Sequence, residues 1–83
     1  MEFTNVKQME AELKKVTSLD ELKEDITFTT QGEIITVKFM GDGSSSVSKE
    51  VFYMAEDDVD TVRVEFSGDG NNITVTNVKA TIH

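Results

Sequence analysis

The sequence predicts an α+β fold: an N-terminal helix, kinked or split in two, packed on one face of a four- to five-stranded antiparallel meander. Two observations predict it. Apolar residues recur at spacings of three and four as far as Val16, then at every second position from Ile26 onward. The alternating runs are separated by short stretches of Gly, Asn, Asp and Ser, with no proline anywhere in the 83 residues. A helix followed by strands on short turns places the helix against one face of an antiparallel sheet. A chain of this length is expected to form one domain, residues 1–83, with a small core.

The helical stripe runs Phe3, Val6, Met9, Leu13, Val16. Asn5 stands three residues before Gln8, a capping-box spacing, with Thr4 as a competing cap. Ser18 and Glu21 repeat that spacing, with Asp20 and Glu21 in what would be a first turn. Residues 18–22 therefore form either the continuation of a helix kinked near Thr17 or a second short helix carrying Leu19 and Leu22.

From Ile26 the period is two. Gln31-Gly32 is a two-residue hairpin turn, because Gly takes positive φ without steric cost. The next strand turns Ile35, Val37 and Phe39 inward and Thr36 and Lys38 outward, and residues 41–48 (GDGSSSVS) are expected to be a loop. The run EVFYMA is apolar on both faces, Val51 and Tyr53 on one and Phe52 and Met54 on the other. A half-buried strand needs one apolar face only, so residues 52–54 are expected to pack against a second copy, giving a homodimer through Phe52, Tyr53 and Met54. Val62, Val64 and Phe66 then alternate with Thr61, Arg63 and Glu65, and residues 67–72 form a turn. In the last run Ile73 and Val75 point inward, followed by Val78, Ala80 and Ile82. That slip of one residue near Thr76-Asn77 calls for a β-bulge.

Composition excludes much chemistry. There is no cysteine, which removes disulfides, thiol nucleophiles and thiolate metal sites. The single histidine, His83, is terminal and a poor general base, so no catalytic set is expected. Asp42-Gly43 and Asp69-Gly70-Asn71 lack the alternating acids of a calcium loop, and Gly-rich residues 41–46 lack the lysine of a phosphate loop. No metal and no cofactor is expected. The first residues lack the basic and apolar regions of a signal peptide, and no apolar run is long enough to span a bilayer. A soluble, cytoplasmic protein is the expectation, and Asn72-Ile73-Thr74 is then an accidental glycosylation sequon.

Net charge is −8, from sixteen acids against eight bases. That opposes direct contact with nucleic acid or an anionic membrane and suits a basic partner. The excess gathers in two places: Asp20, Glu21, Glu24 and Asp25 in the helical segment, and Glu56, Asp57, Asp58 and Asp60 at the entry to a strand. Under physiological salt a charge reaches only about 8 Å, so a local cluster matters more than the total. Alternate residues on a strand stand about 6.6–6.8 Å apart on one face. Asp58 and Asp60, if extended, would match every second phosphate of a DNA strand, spaced about 3.4 Å.

Size, acidity, absence of cysteine and the AEDDVD stretch give the chain a class-level resemblance to phage-encoded inhibitors that imitate nucleic acid. The resemblance includes no aligned motif. It implies a non-enzymatic protein that occupies the basic DNA-binding surface of a host protein such as a nucleoid-associated protein, a nuclease or a polymerase component. Glu56, Asp57, Asp58 and Asp60 are then the candidate contacts, supported by Asp20, Glu21, Glu24 and Asp25. The alternative is a structural β-rich assembly subunit, whose Thr- and Asn-rich strands pair edge to edge and whose acids serve solubility only.

Overall fold

A computed structural model describes residues 1–44 and 49–83. The order is α1 (Val6–Leu13), α2 (Leu19–Leu22), β1 (Ile26–Thr30), β2 (Glu33–Ser44), β3 (Lys49–Ala55), β4 (Thr61–Asp69) and β5 (Asn72–Thr81). The five strands form one antiparallel sheet in sequential order, curled into a half-barrel. The fold is α+β, as expected, and the helical segment is two helices rather than one kinked rod.

Helix α1 begins at Asn5, whose side chain accepts the Gln8 backbone N–H at 2.7 Å. Gln8 reaches back one residue further than a capping box requires: its Oε1 accepts both the backbone N–H and the hydroxyl of Thr4, at 2.6 and 2.9 Å. Phe3 is not a turn of helix. It donates its backbone N–H to Thr27 O, and Thr27 donates back to Met1 O, both at 2.8 Å, so the first residues bridge the outer edge of β1 in parallel. The expected Ser18 cap also fails. Ser18 Oγ donates to Asn71 Oδ1 at 3.1 Å instead of capping α2. Beside it, Leu19 donates to Gly70 O and Ile73 donates to Thr17 O. The linker between the helices is thereby stitched to the start of β5.

Each hairpin follows from its turn residues. Thr30 faces Glu33 across Gln31 (φ 51°) and Gly32 (φ 80°), the type I′ pattern. Asp69 faces Asn72 across Gly70-Asn71, with positive φ only at Gly70, the II′ pattern. The turn predicted over residues 67–72 is thus only two residues long. Gly68, inside β4, has φ 96°, and a Cβ there would lie 2.2 Å from the Asn72 carbonyl oxygen, so no other residue fits.

The predicted bulge is present. Glu65 faces Asn77 and Phe66 faces Val75, which leaves Thr76 as the extra residue. Its hydroxyl donates to Glu65 O at 3.1 Å. A second bulge was not predicted: Phe39 faces Tyr53 and Gly41 faces Phe52, which leaves Met40 unpaired. That bulge carries β2 onward through residues 41–44, which therefore belong to a strand and not to a loop; residues 45–48 of the predicted loop lie outside the described residues.

The core fills the inner face of the curl. Ile26, Phe28, Val37, Val51, Tyr53, Val62 and Val64 are fully buried there. Met9 and Leu13 of α1 and Leu22 of α2 close it from the other side. Helix α1 touches both β1 and β5, the two outer strands, and so plugs the gap between the edges of the curl. Each such side chain contributes about 1.5–3 kcal/mol when fully buried. Among the described residues no helix is long and apolar enough to cross a membrane.

Tyr53 is a correction to the expected dimer surface. It is fully buried, its ring meets Phe39 edge-on at a 6.0 Å centroid distance, and its hydroxyl donates to Leu22 O at the end of α2. Burial holds the phenol pKa well above its ordinary value. Phe52 and Met54 do point outward, each half-buried. The guanidinium of Arg63 sits 5.7 Å from the Phe52 ring centroid.

Candidate functional site

In an antiparallel meander the turns alternate between the two ends of the sheet. The β1–β2 turn, the β3–β4 connection and the end of β5 must therefore share one end, and the start of β5 lies at the other. This parity organises the acidic residues.

The β3–β4 connection spans residues 56–60 and is a turn, not an extended strand entry. Asp58 donates its backbone N–H to Ala55 O at 3.0 Å and adopts φ 62°. Asp and Asn tolerate that left-handed region better than most residues. The Asp57 carboxylate accepts the Val59 N–H at 3.1 Å, a local bond that holds the turn. Ala55 N–H to Asp60 O, at 2.8 Å, closes it. Asp58 and Asp60 therefore do not form a row of anions at strand spacing.

Asp60 is a structural residue. It is only 8% exposed, and its Oδ1 accepts the backbone N–H of His83 at 2.8 Å. The His83 ring nitrogen Nδ1 is 3.7 Å from the same oxygen. The bond anchors the end of the chain beside the turn. Asp25 is similarly used, its Oδ1 accepting the Phe39 N–H at 3.0 Å.

The second acidic group stands apart from the first. α2 begins where Leu19 binds Gly70 O, at the far end of β4 from residues 56–60. Nine strand residues separate the two ends, roughly 25–30 Å at about 3.3 Å per residue. Asp20 and Glu21 therefore do not extend the turn cluster. Glu21 lines a different shallow groove with Glu2, Glu12 and Lys15, where Lys15 pairs with Glu12 at 3.4 Å.

A residue that charge counting passed over joins the turn cluster. Glu33 opens β2 immediately after the I′ turn, and with Ile34 it lines one groove with Glu56, Asp57, Val59 and His83. Ile34 is 76% exposed and Val59 42%. Meander parity was the available signal, because it places the β1–β2 turn beside the β3–β4 turn whatever the sequence separation. Among the described residues, Glu33, Glu56, Asp57 and Asp58 make no ion pair. At the opposite end Lys49 pairs with Asp69, and in the middle of the sheet Arg63 Nε lies 3.5 Å from Glu50 Oε2. One end of the sheet thus carries uncompensated carboxylates around two exposed aliphatic side chains. Among the described residues no three His, Asp or Glu side chains converge to hold a metal ion.

The chain matches no protein-family model, no curated protein and no solved structure.

Proposed function

We propose that this chain is a non-enzymatic binding protein that occupies the basic surface of a partner protein through the end of the sheet bearing Glu33, Glu56, Asp57 and Asp58. The observation that carries it is the concentration of unpaired carboxylates at that end, around Ile34 and Val59. Charge directs encounter and selects a cationic partner, while apolar contacts at the centre of an interface supply much of the binding energy. A DNA-binding protein is the partner class, since a surface that neutralises phosphates must be strongly basic. The imitation of nucleic acid then rests on carboxylates gathered around a groove rather than on a strand row. Asp60, Asp25, Asp20, Glu21 and Glu24, the last between α2 and β1, are outside the contact.

The alternative, edge-to-edge assembly, has less support. The outer edge of β1 is bridged by Met1 and Phe3, and β5 is bonded at Ile73 by Thr17. Both edges thus have fewer free backbone groups for an added strand.

The test is capture from a bacterial lysate on immobilised protein. Basic DNA-binding proteins should be retained, released by competing duplex DNA, and lost with the triple variant Glu56→Lys, Asp57→Lys, Asp58→Lys. All three positions are exposed, so the variant should still fold, less stable by about 1 kcal/mol because the Asp57 bond to Val59 N–H is lost. Retention of the same proteins by that variant would sink the proposal. Affinity should also weaken from low to physiological salt, but less steeply than that of DNA, because a protein lacks DNA's condensed counterions.

A further inference from the structure

The outer face of the sheet carries a second feature, which adjoins the acidic end but is built from different residues. Two cross-strand rows lie side by side there. Phe52, Arg63 and Lys79 face one another across β3, β4 and β5, and Met54, Thr61 and Thr81 form the adjacent row. Five of these residues, Phe52, Thr61, Arg63, Lys79 and Thr81, line one small pocket that contains no acid.

Arg63 and Lys79 are directly opposed on neighbouring strands. Like charges in that position repel and destabilise a sheet. The available neutralisation is partial. Arg63 engages Glu50 through Nε alone, at 3.5 Å, and Lys79 has no ion pair among the described residues. Beside the two cations stand the hydroxyls of Thr61 and Thr81, themselves opposed. Opposed residues lie about 4.5–5.5 Å apart, and successive outward residues about 6.6–6.8 Å. Two cations and two hydroxyl donors thus border one patch a few ångströms across. The next row outward contains Glu50 and Glu65, which push a bound anion toward the threonines.

We infer that this pocket binds a phosphoryl group. Lys79 supplies a full charge, and Arg63, held by Glu50 through Nε, still has its terminal N–H donors to offer, a set suited to the several oxygens of a phosphoryl group. The planar fork of Arg and the point charge of Lys are the usual phosphate donors. The Phe52 ring forms an apolar wall, which favours a phosphate ester with an aromatic or otherwise apolar body over free phosphate. Thr61 directly follows the acidic turn, so an anion is best placed at Arg63 and Lys79, one outward row further along the sheet, where salt weakens the turn's field.

Titration followed by amide NMR tests this, with inorganic phosphate and phenyl phosphate as probes and sodium chloride at matched ionic strength as control. Saturable shifts are expected at Thr61, Arg63, Lys79 and Thr81, with phenyl phosphate several-fold tighter than phosphate. Lys79→Gln and Arg63→Gln, both on exposed side chains, should each weaken binding at least fivefold, while Lys7→Gln on α1 should not. Equal affinity for the two probes would assign the pocket to the free anion. Identical shifts with chloride, or unchanged affinity in Lys79→Gln and Arg63→Gln, would overturn the site. Neither result bears on the acidic end, which the lysate capture tests separately.

Discussion

Tyr53 joins three parts of the molecule through one side chain. Its ring packs in the core beside Phe39, and its hydroxyl satisfies the carbonyl of Leu22, the last residue of α2. A helix end buried without such a partner would carry an unsatisfied acceptor. Tyr53→Phe should therefore lower stability at pH 7 by about 1–3 kcal/mol, the usual cost of orphaning a buried polar group. The same phenol sets an alkaline limit. Burial raises its pKa in the fold, while the unfolded chain titrates near the ordinary value of about 10. The folded state thus holds the proton more tightly. Its contribution is intact below about pH 10 and is lost as pH climbs above that, by up to about 1.4 kcal/mol per unit. Urea unfolding at pH 7, 9, 10 and 11 should show parent and variant converging above pH 10, and parallel curves throughout would refute this role.

At the scale of elements, much was legible because it follows from side-chain period and turn chemistry. The change of period at Ile26, the Gln31-Gly32 turn and the slip at Thr76 all appear where the pattern put them. What escaped depends on contacts distant in sequence. Phe3 fits a helical stripe, yet its backbone bonds to Thr27; Ser18 fits a cap, yet its hydroxyl binds Asn71. Residues 41–44 have loop composition, but the Met40 bulge and pairing with β3 draw them into a strand. Propensity is a weak prior that such pairing overrides. The Thr76 bulge makes a sharp prediction. Side chains alternate with a period of two, so removing one residue inverts every following side chain. Deletion of Thr76 would turn Val78, Ala80 and Ile82 outward, or else strand Ile73 and Val75. The variant should lose cooperative thermal unfolding, whereas Thr76→Ala, which keeps the count and loses only the bond to Glu65 O, should cost about 1 kcal/mol. A deletion variant that melts like the parent would show that the bulge does not set the register.

At the scale of the whole molecule, sequence showed that negative charge was clustered but not which clusters meet. Glu33 and Asp57 are distant in sequence and share a groove; Asp20 and Asp57 look equivalent and lie at opposite ends of β4. The same limit applied to self-association. A twofold dimer through the outer face would set the same patch of two copies against each other. That patch has lost Tyr53 to the core, and what remains is half-buried Phe52 and Met54 bordered by Lys38, Arg63 and Lys79. Two such faces present mixed charge, since Glu50 and Glu65 share them with the cations. Their apolar area is small beside the roughly 800 Å² per partner of a stable interface. Backbone pairing offers little more, since β1 and β5 are both bonded along part of their outer edges. Light scattering after size exclusion should therefore give a single 9.2 kDa species at micromolar concentration in low and physiological salt. A species of twice that mass that reverts to the monomer on Met54→Lys would instead place a homodimer on this face, in direct competition with the phosphoryl pocket beside Phe52.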